Sequence, residues 1–139
     1  MTAIARSELS KRNKYWIEKH RYYELKHFCL QYPIWKKKCS EIKIASSRPS
    51  DELTSIGRSG YSDPTGNQAV NIAMYSDRIK LVEGIASVVD PGLYDYILKG
   101  VTENVSYTYL CAKHNIPCSR NTYYDRYRRF FWLLDAKKK

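Results

Sequence analysis

The chain has 139 residues, about one domain, and its 43% hydrophobic and 27% charged content suits a fold built on one core. Lys and Arg number 24 against 14 Asp and Glu, a formal charge of +10, which points to a polyanionic partner, nucleic acid before an anionic membrane surface. An aromatic content of 14%, with 13 Tyr, excludes a disordered basic tail.

No apolar run approaches the ~20 residues of a membrane span. The N-terminus lacks the apolar core of a secretion signal, so a cytoplasmic protein is expected. The four cysteines, Cys29, Cys39, Cys111 and Cys118, are read as reduced thiols. Charge is distributed in blocks. Residues 1–44 hold eleven Lys/Arg and four Asp/Glu, a net of +7; residues 45–118 hold six and eight, a net of −2; residues 119–139 hold seven and two, a net of +5. Two basic ends flanking a near-neutral middle suggest two surfaces that meet an anion.

In chain order, Ser7 to Gln31 has neither Pro nor Gly and predicts a long helix. Trp16, His20, Tyr23, His27, Leu30 and Ile34 are spaced as one continuous seam, and Tyr22, Leu25, Cys29 and Tyr32 as a neighbouring face. His20 and His27 are expected to pack, half-buried, against aromatics. Pro33 should end or kink this helix, with a shorter one resuming over 34–44. This basic aromatic segment, 1–44, reads as an element for oligomerisation or partner contact, with a homodimer expected. Residues 45–63 concentrate small and turn-forming residues and read as a linker or loop.

Asp63-Pro64 is a cap followed by Pro at the first helical position, and it opens a helix whose stripe is Ala69, Ile72, Tyr75, Ile79, Val82, Ala86 and Val89. Asp90-Pro91 repeats the signal and opens Gly92 to about Thr102, with Leu93, Ile97 and Val101 inward. Ser106 caps a short helix to about His114, Asn115 to Cys118 make a turn, and Ser119 caps a last helix to about Asp135. No strand pattern competes. The expected architecture is all-α: a long N-terminal helix or helical hairpin, a loop, then a helical domain over 64–139 that ends in a helix-turn-helix at 106–135.

That last unit has the order of a DNA-binding helix-turn-helix, whose second helix lies in the major groove. At 100° per residue, Tyr123, Tyr127, Phe130 and Leu134 share the buried side, and Asn121, Asp125, Arg128 and Trp132 lie roughly opposite. Arg pairs with guanine and Asn with adenine, so Arg120, Asn121, Tyr124 and Arg128 are the expected base readers. Lys113, Ser119, Thr122, Arg126 and Arg129 are the expected phosphate contacts. Double-stranded DNA is the expected partner.

The run Ile116 to Leu134 resembles the C-terminal end of phage and prophage regulators of the ArpU/RinA type, which are similar to DNA-binding region 4 of sigma factors. Ser119, Arg120, Thr122, Tyr123, Tyr124, Arg128, Arg129, Phe130 and Phe131 match the group's recognition-helix pattern, and Asp63-Pro64-Thr65 resembles its common helix opening. The resemblance covers about residues 62–134, most closely the last 20. It implies a late-gene activator that binds near a promoter and meets host RNA polymerase. In this chain Asn115 stands where the group's turn carries Gly, and Asn is among the residues that tolerate left-handed backbone.

Two alternatives share these features: a phage small terminase subunit recognising packaging-site DNA, and a phage-encoded inhibitor of a host nucleic-acid-binding protein. Cys111, His114 and Cys118 have a spacing that spans the predicted turn, and buried cysteine explains it better than zinc. Phosphate-loop, dinucleotide and metalloprotease signatures are absent, so neither an enzyme nor a cofactor is expected.

Overall fold

The structure is a computed structural model and describes residues 12–46 and 64–138. Every regular element among these residues is helical: α1 (Lys19–Leu30), α2 (Tyr32–Ser46), α3 (Pro64–Val89), a 3-10 turn (Pro91–Leu93), α4 (Tyr94–Glu103), α5 (Tyr107–His114) and α6 (Arg120–Lys137). The fold is all-α. Most of the expected 45–63 linker, together with the Asp63 cap and residues 7–11 of the predicted first helix, lies outside the described residues.

Helix α1 starts later than its composition predicts. Residues 12–15 turn and residues 16–18 have no regular structure, and Glu18 stops the helix from extending upstream. Its backbone is extended (ψ 141°), and its carboxylate accepts from the backbone N–H of His20 at 2.8 Å and of Arg21 at 3.1 Å. A side chain that satisfies the first free N–H groups defines a helix start more firmly than propensity does.

The buried face of α1 also differs from the predicted seam. Trp16, His20, His27 and Ile34 are exposed, while Tyr22, Leu25, Lys26 and Cys29 are buried. The neighbouring 3-4-3 face is the inward one, and a lysine completes it. The expected packing of His20 and His27 is therefore corrected: both stand in solvent.

The described residues fall into two compact units, 12–32 with 81–138, and 33–46 with 64–80. In the second, Trp35 and Cys39 are buried one turn apart on α2, and the Arg78 guanidinium lies 5.8 Å from the Trp35 ring centre. In the first, α1, α4 and α6 pack on one another. Their shared core takes Leu25 and Cys29 from α1, Ile97 and Val101 from α4, and Tyr123, Tyr127, Phe130, Phe131 and Leu134 from α6. The last residues of α3 (Val82, Ile85, Ala86 and Val89) are buried in this unit as well. Asp90 then caps the 3-10 turn by accepting from the Gly92 N–H at 3.0 Å, as the Asp-Pro signal predicts.

Two features of this core carry consequences. Lys26 is fully buried, donates from Nζ to the Gly100 carbonyl at 3.1 Å, and lies 5.2 Å and 5.8 Å from the ring centres of Tyr127 and Phe131. Burial lowers its pKa to about 8, against a smaller opposing effect of Cys29; the same burial pushes the Cys29 thiol up to about 12. Second, Tyr123 crosses the backbone of α4 where there is no side chain. A Cβ on Gly100 would stand 1.9 Å from the Tyr123 hydroxyl oxygen, and that buried hydroxyl has no hydrogen-bond partner among the described residues.

Below pH 8 both folded and unfolded chains hold the Lys26 proton, so the desolvation cost is fully present. Between about pH 8 and the ordinary 10.5 only the unfolded chain holds it, so the contribution of Lys26 to stability rises with pH. At 1.36 kcal/mol per unit the net rise amounts to about 1 kcal/mol between pH 8 and 9. Above pH 9 the buried Cys29 thiol, which the folded chain keeps protonated while the unfolded chain ionises it, cancels the slope, and above pH 10 the buried tyrosines, whose ionisation is opposed, reverse it. Lys26→Met is expected to unfold at higher temperature at pH 7 and to lose the rise between pH 8 and 9, as thermal melts across that range would read. Gly100→Ala is expected to cost about 1–3 kcal/mol. Tyr123→Phe alone should cost little, because no bond is lost, and it should relieve much of the Gly100→Ala penalty, because the nearest remaining ring carbon stands at 3.2 Å. A double-mutant cycle by urea unfolding checks the coupling.

Candidate nucleic-acid interface

Helices α5 and α6 form the unit that the caps predict. Ser106 accepts from the Tyr109 N–H at 3.1 Å and starts α5. Asn115 ends it in left-handed backbone (φ 51°, ψ 50°), with its N–H bonded to the Leu110 carbonyl. Asn104 ends α4 in the same way (φ 55°), which turns the chain into α5. Ile116 tucks its side chain into the core and anchors the turn, and Ser119 accepts from the Thr122 N–H at 3.2 Å to start α6.

Tyr107, which the sequence did not single out, ties the unit together. Its N–H donates to the Tyr124 hydroxyl at 3.3 Å, and its own hydroxyl donates to the Cys118 carbonyl just before the α6 cap. The Arg120 guanidinium lies 5.2 Å from the Tyr107 ring centre and donates to Thr108 Oγ1 at 3.2 Å. The first residue of α6 is thus held against the first turn of α5 with its charge at the surface, a cation over an aromatic face. A Tyr one turn before Cys111 and twelve residues before Ser119 has no sequence signature; only the folded turn brings these groups together.

The nine predicted contact residues divide into groups. Arg120 and Asn121 are exposed in the first turn of α6, and Lys113 is exposed on the last turn of α5. Ser119 and Thr122 are occupied with capping, their hydroxyls 3.0 Å apart. Tyr124 is half-buried, its ring edge-on to Tyr123 and Tyr127 and its hydroxyl accepting from α5, so it braces the unit. Arg128 is half-buried with its Nε out of solvent, rather than fully outward as the helical wheel places it.

Arg126 and Arg129 are turned toward the end of α3. Arg126 Nε bonds to Asp90 at 3.1 Å and its terminal nitrogen to Asp125, and Arg129 reaches the Val89 carbonyl at 3.5 Å. The bond to Asp90 is the main cause of a raised Arg126 pKa. Two cations at a helix C-terminus answer its free carbonyls and the negative end of its dipole.

The cysteines also fall otherwise than expected. Cys29 and Cys39 are the buried ones, while Cys111 is exposed and Cys118 half-buried, so the helix-turn-helix core does not hold them. Among the described residues no cluster of three or more His, Cys, Asp or Glu is placed to hold a metal ion. No helix among the described residues is long and apolar enough to cross a membrane.

Compared with protein-family models, with curated proteins and with solved structures, the chain matches none.

Arg126→Ala is expected to lower stability by about 1 kcal/mol, since Arg126 and Asp90 are partly exposed and solvent weakens the pair. Lys113→Ala, with no such partner to lose, is expected to melt with the parent; differential scanning calorimetry on both variants checks the contrast.

Proposed function

We propose that this protein binds duplex DNA in a sequence-dependent way through α5, the turn and the first turn of α6, and that it acts as a phage-type transcriptional regulator. The observation that carries the reading is the first turn of α6. Arg120 and Asn121, the two residue types best suited to guanine and adenine, stand exposed at a capped helix start, with Arg120 held in place by α5. Recognition helices of this class reach base edges with their N-terminal residues. The charge blocks agree: the chain from Ser119 onward carries a net of +5.

Within this reading Arg120 and Asn121 read bases, with Arg128 at the edge of the contact. Lys113 meets phosphate, and Arg126, Arg129, Tyr124, Ser119 and Thr122 hold the reading helix in position. The resemblance to regulators of the ArpU/RinA type supports a late-gene activator that acts as a homodimer beside host RNA polymerase.

Selection of bound sequences from random duplexes at about 150 mM salt, on protein of measured assembly state, tests this. A dimer that enriches a spaced motif is the expected result. Arg120→Ala is expected to lose about 1–3 kcal/mol on the selected site and to relax preference at one position, whereas Lys113→Ala weakens all sequences alike and lowers the salt slope by about 1. Absence of any enriched motif overturns the reading, and a large ring that enriches a motif moves it to DNA packaging.

A further inference from the structure

A second surface lies at the opposite end of α6. Trp132 is 12 residues past Arg120, which places it about 18 Å along the helix axis from the first turn at 1.5 Å per residue. Together with Trp16, Ile17, Glu18, Arg21, Asp135 and Lys138 it lines an open groove. Trp16 and Trp132 are 36% and 42% exposed, unusual for the largest aromatic side chain in two copies beside one groove. Tyr15 stands edge-on to Trp132 at 5.6 Å and carries the Lys14 ammonium 5.0 Å from its own ring centre.

The charges around these rings are uneven. The two carboxylates of the groove are already engaged: Asp135 accepts from Arg21 Nε at 2.7 Å, and Glu18 accepts from the first N–H groups of α1. The hydrogen bond to Asp135 is the main cause of a raised Arg21 pKa. Lys138 lies over the Phe28 ring at 4.0 Å; Lys137 precedes it, Lys14 and Lys19 flank residues 15–18 in the sequence, and all four are exposed. Two part-exposed indoles, with Lys138 in the groove lining and Lys14 on the adjoining Tyr15 while both carboxylates are engaged, match a partner with unpaired π faces and a regular anionic backbone. A peptide lacks the first in series, and duplex DNA hides it inside the stack.

We infer that the Trp16–Trp132 groove binds single-stranded nucleic acid, with bases stacked on the two indoles and phosphates along the flanking lysines. This is a site separate from the first turn of α6 and independent of whether that turn reads duplex DNA.

The third tryptophan, Trp35, is only 2% exposed, so quenching of tryptophan emission reads Trp16 and Trp132. The probe is an oligothymidylate of about 16 nucleotides, at about 100 mM salt, added to the full chain. Saturable quenching is expected, with affinity weakened about tenfold by Trp16→Ala or Trp132→Ala and largely restored by Phe at either position. The Arg120→Ala, Asn121→Ala double variant should bind the oligonucleotide as the parent does, whatever happens to its duplex binding. Far-ultraviolet circular dichroism and the Trp35 emission confirm that the variants fold. Absence of quenching overturns the inference. So does binding that survives both Trp→Ala changes, or that inorganic polyphosphate displaces equally well, since charge alone would then account for it. An emission shift on vesicles of anionic phospholipid without one on the oligonucleotide would overturn it in favour of a membrane surface.

Discussion

Helix α6 must bury five large side chains on one face while keeping its first turn in solvent, and the passage of Tyr123 over Gly100 is what permits both. With no Cβ on α4 at that point, the tyrosine ring lies against backbone, and the helix seats close enough for Tyr127, Phe130, Phe131 and Leu134 to fill the space among α1, α4 and α6. The inward half of α6 is then a packed aromatic ladder, each ring edge-on or tilted to the next. A helix held so firmly along its length can present its N-terminal residues as a fixed surface.

The same core accepts a lysine. Lys26 lies over two of these rings and is anchored to the Gly100 carbonyl, so the residue that admits Tyr123 also receives the buried ammonium. Tyr22 and Tyr127 share a hydrogen bond at 3.1 Å beside it. Such an arrangement is costly in desolvation but specific in register, because sliding α1 by one turn would strand the charge. It ties α1, whose upstream chain bears Trp16, to the α6 turn that bears Trp132.

Arginines divide by position along α6. Arg120, at the start, is positioned by α5 and keeps its charge outward, whereas Arg126 and Arg129, two turns on, face the end of α3 and are spent on its carbonyls and on Asp90. A basic helix is therefore less basic toward a ligand than its composition says. The net charge of the C-terminal block overstates the cations left to solvent, and the exposed ones lie at the two ends of the helix.

Local signals determined much of this protein. Asp90-Pro91, Ser106 and Ser119 each start an element where expected, Asn115 adopts the left-handed turn, and the Tyr123, Tyr127, Phe130, Leu134 stripe is buried as its period requires. These are contacts within a few residues, so the sequence carries them whole. Which face of α1 turns inward was not legible, because two adjacent apolar stripes compete and the winner includes a lysine whose stem is apolar and whose charge needs a carbonyl 74 residues away. Nor was the fate of Arg126 and Arg129, whose partners at the end of α3 lie 36 and 40 residues back. Period and composition describe one helix at a time. Whether a charge meets solvent, a carboxylate or a ligand is decided only when another helix arrives beside it.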